Sequence, residues 1–122
     1  MLQLRSSGSV TTISLNRAEV LASLSAIAAR IREAHAEVLS VRLFGSVARG
    51  DQAGTSDVDV LIVLKGDESG DPLEWIRKYY GYFRLPVPVD LLVYSEAQLL
   101  DRLQSGDPWF ARIWKESIGL AG

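Results

Sequence analysis

Apolar residues return at Val20, Leu21, Leu24, Ile27, Ala28 and Ile31, the three- and four-residue spacing of a helix that buries one stripe, which predicts a helix over about residues 17–36. Asn16 followed by Glu19 resembles a capping box at its start. The pattern then changes. Residues 38–44 form a β-prone run that stops at Gly45-Ser46, and residues 58–64 form a second, continuous enough in β-branched positions to be buried on both faces. Between them lies the small polar loop ARGDQAGTS, with a short helix expected at residues 47–49. After a turn at residues 65–70, Pro72 suits the first turn of a helix expected to reach about Arg84, which Pro86 and Pro88 end. Residues 89–94 read as a third strand. Ser95 caps a helix to about Gln104, and Ser105-Gly106-Asp107-Pro108 precedes a last amphipathic helix through Trp109, Phe110, Ile113 and Trp114. Near the start, residues 10–14 are β-prone, and the pattern leaves open whether they form a strand or an ordered arm. The organisation expected is an arm at residues 1–15 and a single domain at 16–122. Its class is α/β (α+β): a small mixed β-sheet flanked by helices, with a helix before the first core strand.

This order of elements brings chemistry together. A helix joining the second and third strands makes them parallel if they share a sheet, whereas the loop after the first strand returns the chain antiparallel. The end of the first strand and the starts of the other two then lie side by side. Gly45-Ser46, Asp57, Asp59 and Asp90 stand at those three places. Strand side chains alternate faces, so Asp57 and Asp59 point the same way and Asp90 joins them from the neighbouring strand. Three carboxylates at the edge of an apolar sheet repel one another and resist desolvation, and a divalent cation relieves both problems. The arrangement suits two-metal phosphoryl transfer, with ions about 3.5–4 Å apart. In that reading the Asp-x-Asp pair holds both ions, and Asp90 ligates the ion beside the incoming hydroxyl and helps to deprotonate it. Gly45, the Ser46 hydroxyl and nearby backbone N–H groups would form an anion pocket for a triphosphate, with Arg49 as a charged contact. No Gly-Lys-Ser or Gly-Lys-Thr ending is present, so the loop is not a Walker A motif.

Composition narrows the metal and the partners. The chain has 122 residues, 48% hydrophobic and 23% charged, enough for one core. It has no cysteine and one histidine, His35, so thiolate and histidine metal clusters and disulfides are excluded. Oxygen ligands remain, which points to magnesium or manganese. A formal charge of −2 lacks the basic excess needed to grip long nucleic acid. The apolar stretch at residues 20–29 is too short to span a bilayer, so a cytoplasmic location is the default.

The stretch LFGSVARGDQAGTSDVDVLIVL resembles the signature of the DNA polymerase beta-like nucleotidyltransferases: an apolar strand, Gly-Ser, ten residues from Val47 to Ser56, then Asp, an apolar residue, Asp and another strand. VDLLVYS, with Asp90, is similar to the strand carrying that family's third carboxylate. The likeness covers roughly residues 38–118, including the closing pattern around Trp109, Phe110 and Ile113, and the short chain looks like the minimal nucleotidyltransferases of the HEPN/MNT toxin–antitoxin type. The resemblance implies transfer of a nucleoside monophosphate, usually AMP from ATP, to a hydroxyl, with magnesium and release of pyrophosphate. It implies catalytic and metal-binding roles for Asp57, Asp59 and Asp90, and nucleotide contacts from Gly45, Ser46, Arg49 and Ser56. In the antitoxin branch the hydroxyl is a tyrosine on a helical HEPN-type toxin. The chain ends in GLAG, without the aromatic tail of some relatives, which bears on partner docking more than on chemistry.

Plainer roles compete at each position. An Asp-x-Asp alone often only caps a turn. Asp90 has Arg42 or Arg84 as salt-bridge alternatives, and Arg49 has Asp51. His35 suits the negative end of the first helix. Trp75, Tyr79, Tyr80, Tyr82 and Phe83 cannot all face one core, so some exposed aromatic surface is expected, fit for a protein partner or self-association. Two other functions use the same fold: an antitoxin or assembly subunit that masks its partner without catalysis, and a nucleotidyltransferase of small molecules similar to aminoglycoside-modifying enzymes.

Overall fold

Four strands, Val89–Ser95, Val58–Leu64, Val38–Phe44 and Ile118–Ala121, lie side by side in that order in a computed structural model that describes residues 2–7, 10–15, 17–50, 57–66, 70–85 and 87–121. A separate two-stranded hairpin, β1 (Leu2–Ser7) and β2 (Val10–Leu15), precedes them, so the β-prone run near the start is a strand with a partner. Then follow α1 (Arg17–Ala34), β3 (Val38–Phe44), α2 (Gly45–Arg49), β4 (Val58–Leu64), α3 (Pro72–Tyr80), β5 (Val89–Ser95), α4 (Glu96–Gln104), α5 (Pro108–Glu116) and β6 (Ile118–Ala121). As the connections predict, β3 and β4 are antiparallel and β4 and β5 parallel. Asn16 lies outside the described residues, as does its capping role.

Alternation along the strands divides the core into two layers. Val58, Val60, Ile62 and Leu64 of β4, with Val89, Leu91 and Val93 of β5, pack under α1 through Val20, Leu24, Ile27, Ala28 and Ile31, with Tyr79 of α3 beside them. Leu61 and Val63 face the other way and meet Leu99 of α4 and Phe110 and Ile113 of α5. The central strand is therefore buried on both faces, and each such side chain contributes about 1.5–3 kcal/mol relative to exposure. Local signals set the helix starts. Asp71 accepts the N–H of Leu73 at 3.0 Å ahead of Pro72. Ser95 and Gln98 form a reciprocal capping box, and Asp107 accepts from Trp109 and Phe110 ahead of Pro108.

Two differences from the sequence pattern matter. The helix after Pro72 stops at Tyr80 and not near Arg84, because the chain turns at Gly81, with Tyr82 N–H bonded to Tyr79 O and Phe83 N–H to Tyr80 O. Of the aromatics between residues 75 and 83, Tyr79 and Phe83 are buried, Trp75 and Tyr82 half-buried, and Tyr80 exposed. The C-terminal residues add a fourth strand, β6, antiparallel to β3. Arg42 secures that edge: its Nε donates to Ser117 Oγ at 2.7 Å, and its guanidinium lies 4.7 Å from the Trp114 ring centroid.

Between α1 and β3 lies a polar hub. Glu37 accepts from Lys78 Nζ at 2.7 Å and from the Tyr79 hydroxyl at 2.6 Å, and its carboxylate stands 3.3 Å from His35 Nδ1. His35 Nε2 meets the Tyr82 hydroxyl at 3.0 Å, so this histidine ties two elements together and does not serve simply as a helix-end partner. Burial alone would raise the Glu37 carboxyl, but the Lys78 and Tyr79 hydrogen bonds outweigh it and hold the pKa at about 2, below the ordinary 4.5. The ionised form thus stabilises the fold at pH values above 4.5, and that contribution is lost as pH falls towards 2. Glu37→Gln is expected to cost about 1–2 kcal/mol at pH 7, allowing for solvent screening. In thermal melts the gap between variant and wild type should close as pH drops from 4.5 towards 2; a gap constant with pH would remove this account.

Candidate active site

The end of β3 and the starts of β4 and β5 meet on the face of the sheet that carries α5. Asp59 is the register partner of Phe44 on one side and of Asp90 on the other. Its carboxyl lies within hydrogen-bonding reach of Asp90. Asp57, exposed just before β4, adds its charge to theirs. Burial first, then the Asp90 charge and hydrogen bond, then Asp57, raise the pKa of Asp59 from 3.8 to about 6, against a smaller opposing pull from Arg49. Asp59 is half-buried, whereas Asp90 is exposed and not sunk between Val89 and Leu91. Nor do its alternative partners serve it: Arg42 is bound to Ser117, and Arg84 Nε donates to Gly81 O.

Gly45 makes this crowding possible. Its φ is +77°, in the left-handed region, and a Cβ placed there would collide with Asp59 Oδ2. Gly45 then starts α2, whose last turn closes at Gly50 and whose carbonyls at Val47 and Ala48 accept from the Arg17 guanidinium at 2.9 and 3.1 Å. Ser46 is half-buried on this turn, and its hydroxyl makes no hydrogen bond with a described residue. Ser56 and Asp51 lie outside the described residues.

Arg49 is held by a residue that the sequence pattern did not single out. Glu116, at the end of α5, accepts from Arg49 Nη1 through both oxygens, at 3.2 and 3.0 Å, and from Gly45 N–H at 3.2 Å. Arg112, one turn earlier, stands 3.8 Å from the same carboxylate. The four-residue spacing of Arg112 and Glu116 is visible in the sequence, but their meeting with a turn 71 positions away is not. A cavity of about 230 Å³ opens here beside Gly45, Arg49, Trp109 and Arg112.

The donor set suits a hard divalent cation: carboxylate oxygens paired at short range, with no histidine or cysteine near. Among the described residues, no three acidic or histidine side chains are gathered tightly enough to enclose an ion. Asp59 and Asp90 sit side by side on neighbouring strands, with Asp57 exposed just before β4. The Asp59–Asp90 repulsion is the feature a cation would relieve.

Solved structures share this fold. A crystal structure of a protein from Sulfolobus solfataricus assigned as a nucleotidyltransferase superposes with a TM-score of 0.63 at 24% identity, covering 84% of this chain and 80% of that one. A chain from the crystal structure of a toxin–antitoxin with AMP-PNP superposes with a TM-score of 0.50 at 20% identity, covering 88% of this chain and 74% of that one. At these identities the likeness is one of fold. No curated protein matches the chain. The family model described as nucleotidyltransferase domain matches residues 24–116, a span that runs from α1 through the Gly-Ser turn and all three aspartates to Glu116. The chain belongs to the nucleotidyltransferase domain family.

Proposed function

We propose that this chain transfers AMP from ATP to a hydroxyl of a partner protein, with Asp57, Asp59 and Asp90 holding two magnesium ions, or manganese in their place. Family membership supports nucleotidyl transfer. The observation that carries the reading is the pairing of Asp59 with Asp90 on neighbouring strands, directly beside Gly45. Bound divalent ions would neutralise the triphosphate and the developing charge on the leaving pyrophosphate. The acceptor oxygen forms a bond to the α-phosphorus as the bond from that phosphorus to the β-phosphate oxygen breaks, releasing pyrophosphate. The hydroxyl proton passes to Asp90, whose exposure leaves it open to an incoming acceptor. Gly45, Ser46, Ser56 and Arg49 receive the phosphates, with Arg49 steadied by Glu116.

In this reading the acceptor is a tyrosine of a HEPN-type toxin, and the chain is its antitoxin. The toxin–antitoxin neighbour with AMP-PNP supports a protein partner and a nucleotide on this fold, and the LFGSVARGDQAGTSDVDV motif supports the minimal class. The test is incubation with magnesium, ATP labelled at the α-phosphate and a co-expressed helical partner. Label should move to the partner, and Asp57→Asn or Asp90→Asn should lower the rate by roughly 10²–10⁴-fold. Transfer at the wild-type rate in Asp90→Asn would refute the catalytic assignment. Full neutralisation of the partner by an inactive variant would instead establish masking.

A further inference from the structure

Opposite the aspartates, on the other face of the sheet, α1 and the segment closing α3 enclose a groove of about 900 Å³. Ser23, Ala26, Ile27 and Arg30 form one wall, spaced three and four apart so that they share a face of α1. Arg77, Lys78, Tyr82, Arg84 and Leu85 form the other. We propose that this groove docks an acidic amphipathic helix of a partner protein.

Charge is the first reason. Among the described residues, Arg30, Arg77, Lys78 and Arg84 line the groove and no carboxylate does, in a chain whose net charge is −2. Arg30 and Arg77 make no ion pair with any described residue, and Arg84 Nε donates to the backbone carbonyl of Gly81 in its own turn. These cations are therefore available to a ligand. Apolar lining is the second reason: Ala26 and Ile27 of one wall and Leu85 of the other offer apolar surface among the basic side chains, which rewards a helix with an apolar stripe flanked by acids. A single-stranded nucleic acid wants aromatic faces for its bases. Tyr82, the one aromatic among the described lining residues, has its hydroxyl bonded to His35 and its ring packed edge-on against that imidazole, so it serves as wall and not as a stacking platform. The wall is also set in advance, because Lys78 is fixed by Glu37 within the same hub. Preset surfaces lose less on binding.

The test is fluorescence anisotropy with an 18-residue labelled peptide carrying leucine along one helical stripe and glutamate on its flanks, measured without nucleotide or metal, so that docking stands or falls separately from the transfer reaction. The expected result is saturable binding that weakens by about tenfold or more when glutamine replaces glutamate, and by about tenfold or more in Arg30→Glu with Arg77→Glu. Arg30→Gln with Arg77→Gln, which removes charge without reversing it, should give an intermediate loss. Absence of peptide binding, or binding unchanged in the charge-reversed variant, overturns the proposal. So does a 20-nucleotide oligouridylate that displaces the peptide at a lower concentration than unlabelled peptide does, which would make the groove a nucleic-acid track.

Discussion

Asp59→Asn is expected to slow nucleotidyl transfer severely and, in metal-free buffer at neutral pH, to raise the melting temperature. The two effects have one cause. In the wild-type fold Asp59 holds its proton up to about pH 6, against 3.8 in an ordinary setting, because it is half-buried and faces Asp90 and Asp57. Between those pH values the folded state binds a proton that the unfolded chain has released, so stability falls as pH rises through the window. Above it the folded protein carries the ionised carboxylate at full cost. Taking the difference at face value gives an upper bound of ~3 kcal/mol, and solvent screening at a partly open site reduces this to about 1–2 kcal/mol. Asparagine keeps the shape and removes the charge. Differential scanning fluorimetry with a chelator should therefore show a gain of roughly 3–8 °C at pH 8, shrinking towards pH 4. Magnesium or manganese should reverse the ranking by stabilising wild type alone. A variant no more stable than wild type at pH 8 would mean that Asp59 is not strained by its neighbours, and the site would lose its electrostatic basis. The rate loss expected alongside is roughly 10²–10⁴-fold.

That the meeting of Asp59 and Asp90 is legible in the sequence follows from what strands and crossovers impose. The bounds of β3 and β4 are printed in the chain as apolar runs ended by Gly45 and opened after Asp57, and the helix between β4 and β5 dictates their parallel order. Once that order holds, Asp59 and Asp90 have nowhere else to be. Glu116 and Arg17 were hidden for the opposite reason: each acts on the Gly45–Arg49 turn from a helix distant in sequence, and a charged residue near a helix end has many plainer uses. The strand β6 was hidden because Ile118–Ala121 lacks alternation or a turn signal of its own. It becomes a strand by occupying the free edge of β3, with Arg42 and Ser117 fastening the approach. The hairpin was half legible. Val10–Leu15 carries β-prone residues, whereas Leu2–Ser7 takes its pairing from that partner more than from its own composition. The end of α3 turned on Gly81 and on the His35–Tyr82 bond, a contact across 47 positions.

Gly45→Ala is the sharper probe of whether closeness at this site serves catalysis. Alanine at φ +77° is strained wherever it occurs, by about 1 kcal/mol or more. At Gly45 a second penalty is added, because the new methyl would overlap Asp59 Oδ2, and either the carboxyl or the end of β3 must move. Gly106 supplies the control: its φ is also +77°, yet a Cβ there meets nothing within 4 Å. Gly106→Ala should therefore lose only the backbone share of stability and keep full activity. Gly45→Ala should be less stable than that and transfer about 10²-fold more slowly, since a displacement near 1 Å of a group that positions the reactants is enough for such a loss. Asp59→Ala, which vacates the contested space, completes a double-mutant cycle. In that background the stability penalty of Gly45→Ala should fall to the value measured at Gly106. A penalty that persists undiminished would show that the glycine answers to its own backbone and not to Asp59, and the packed Gly45–Asp59 contact would no longer account for the placement of the carboxylate pair.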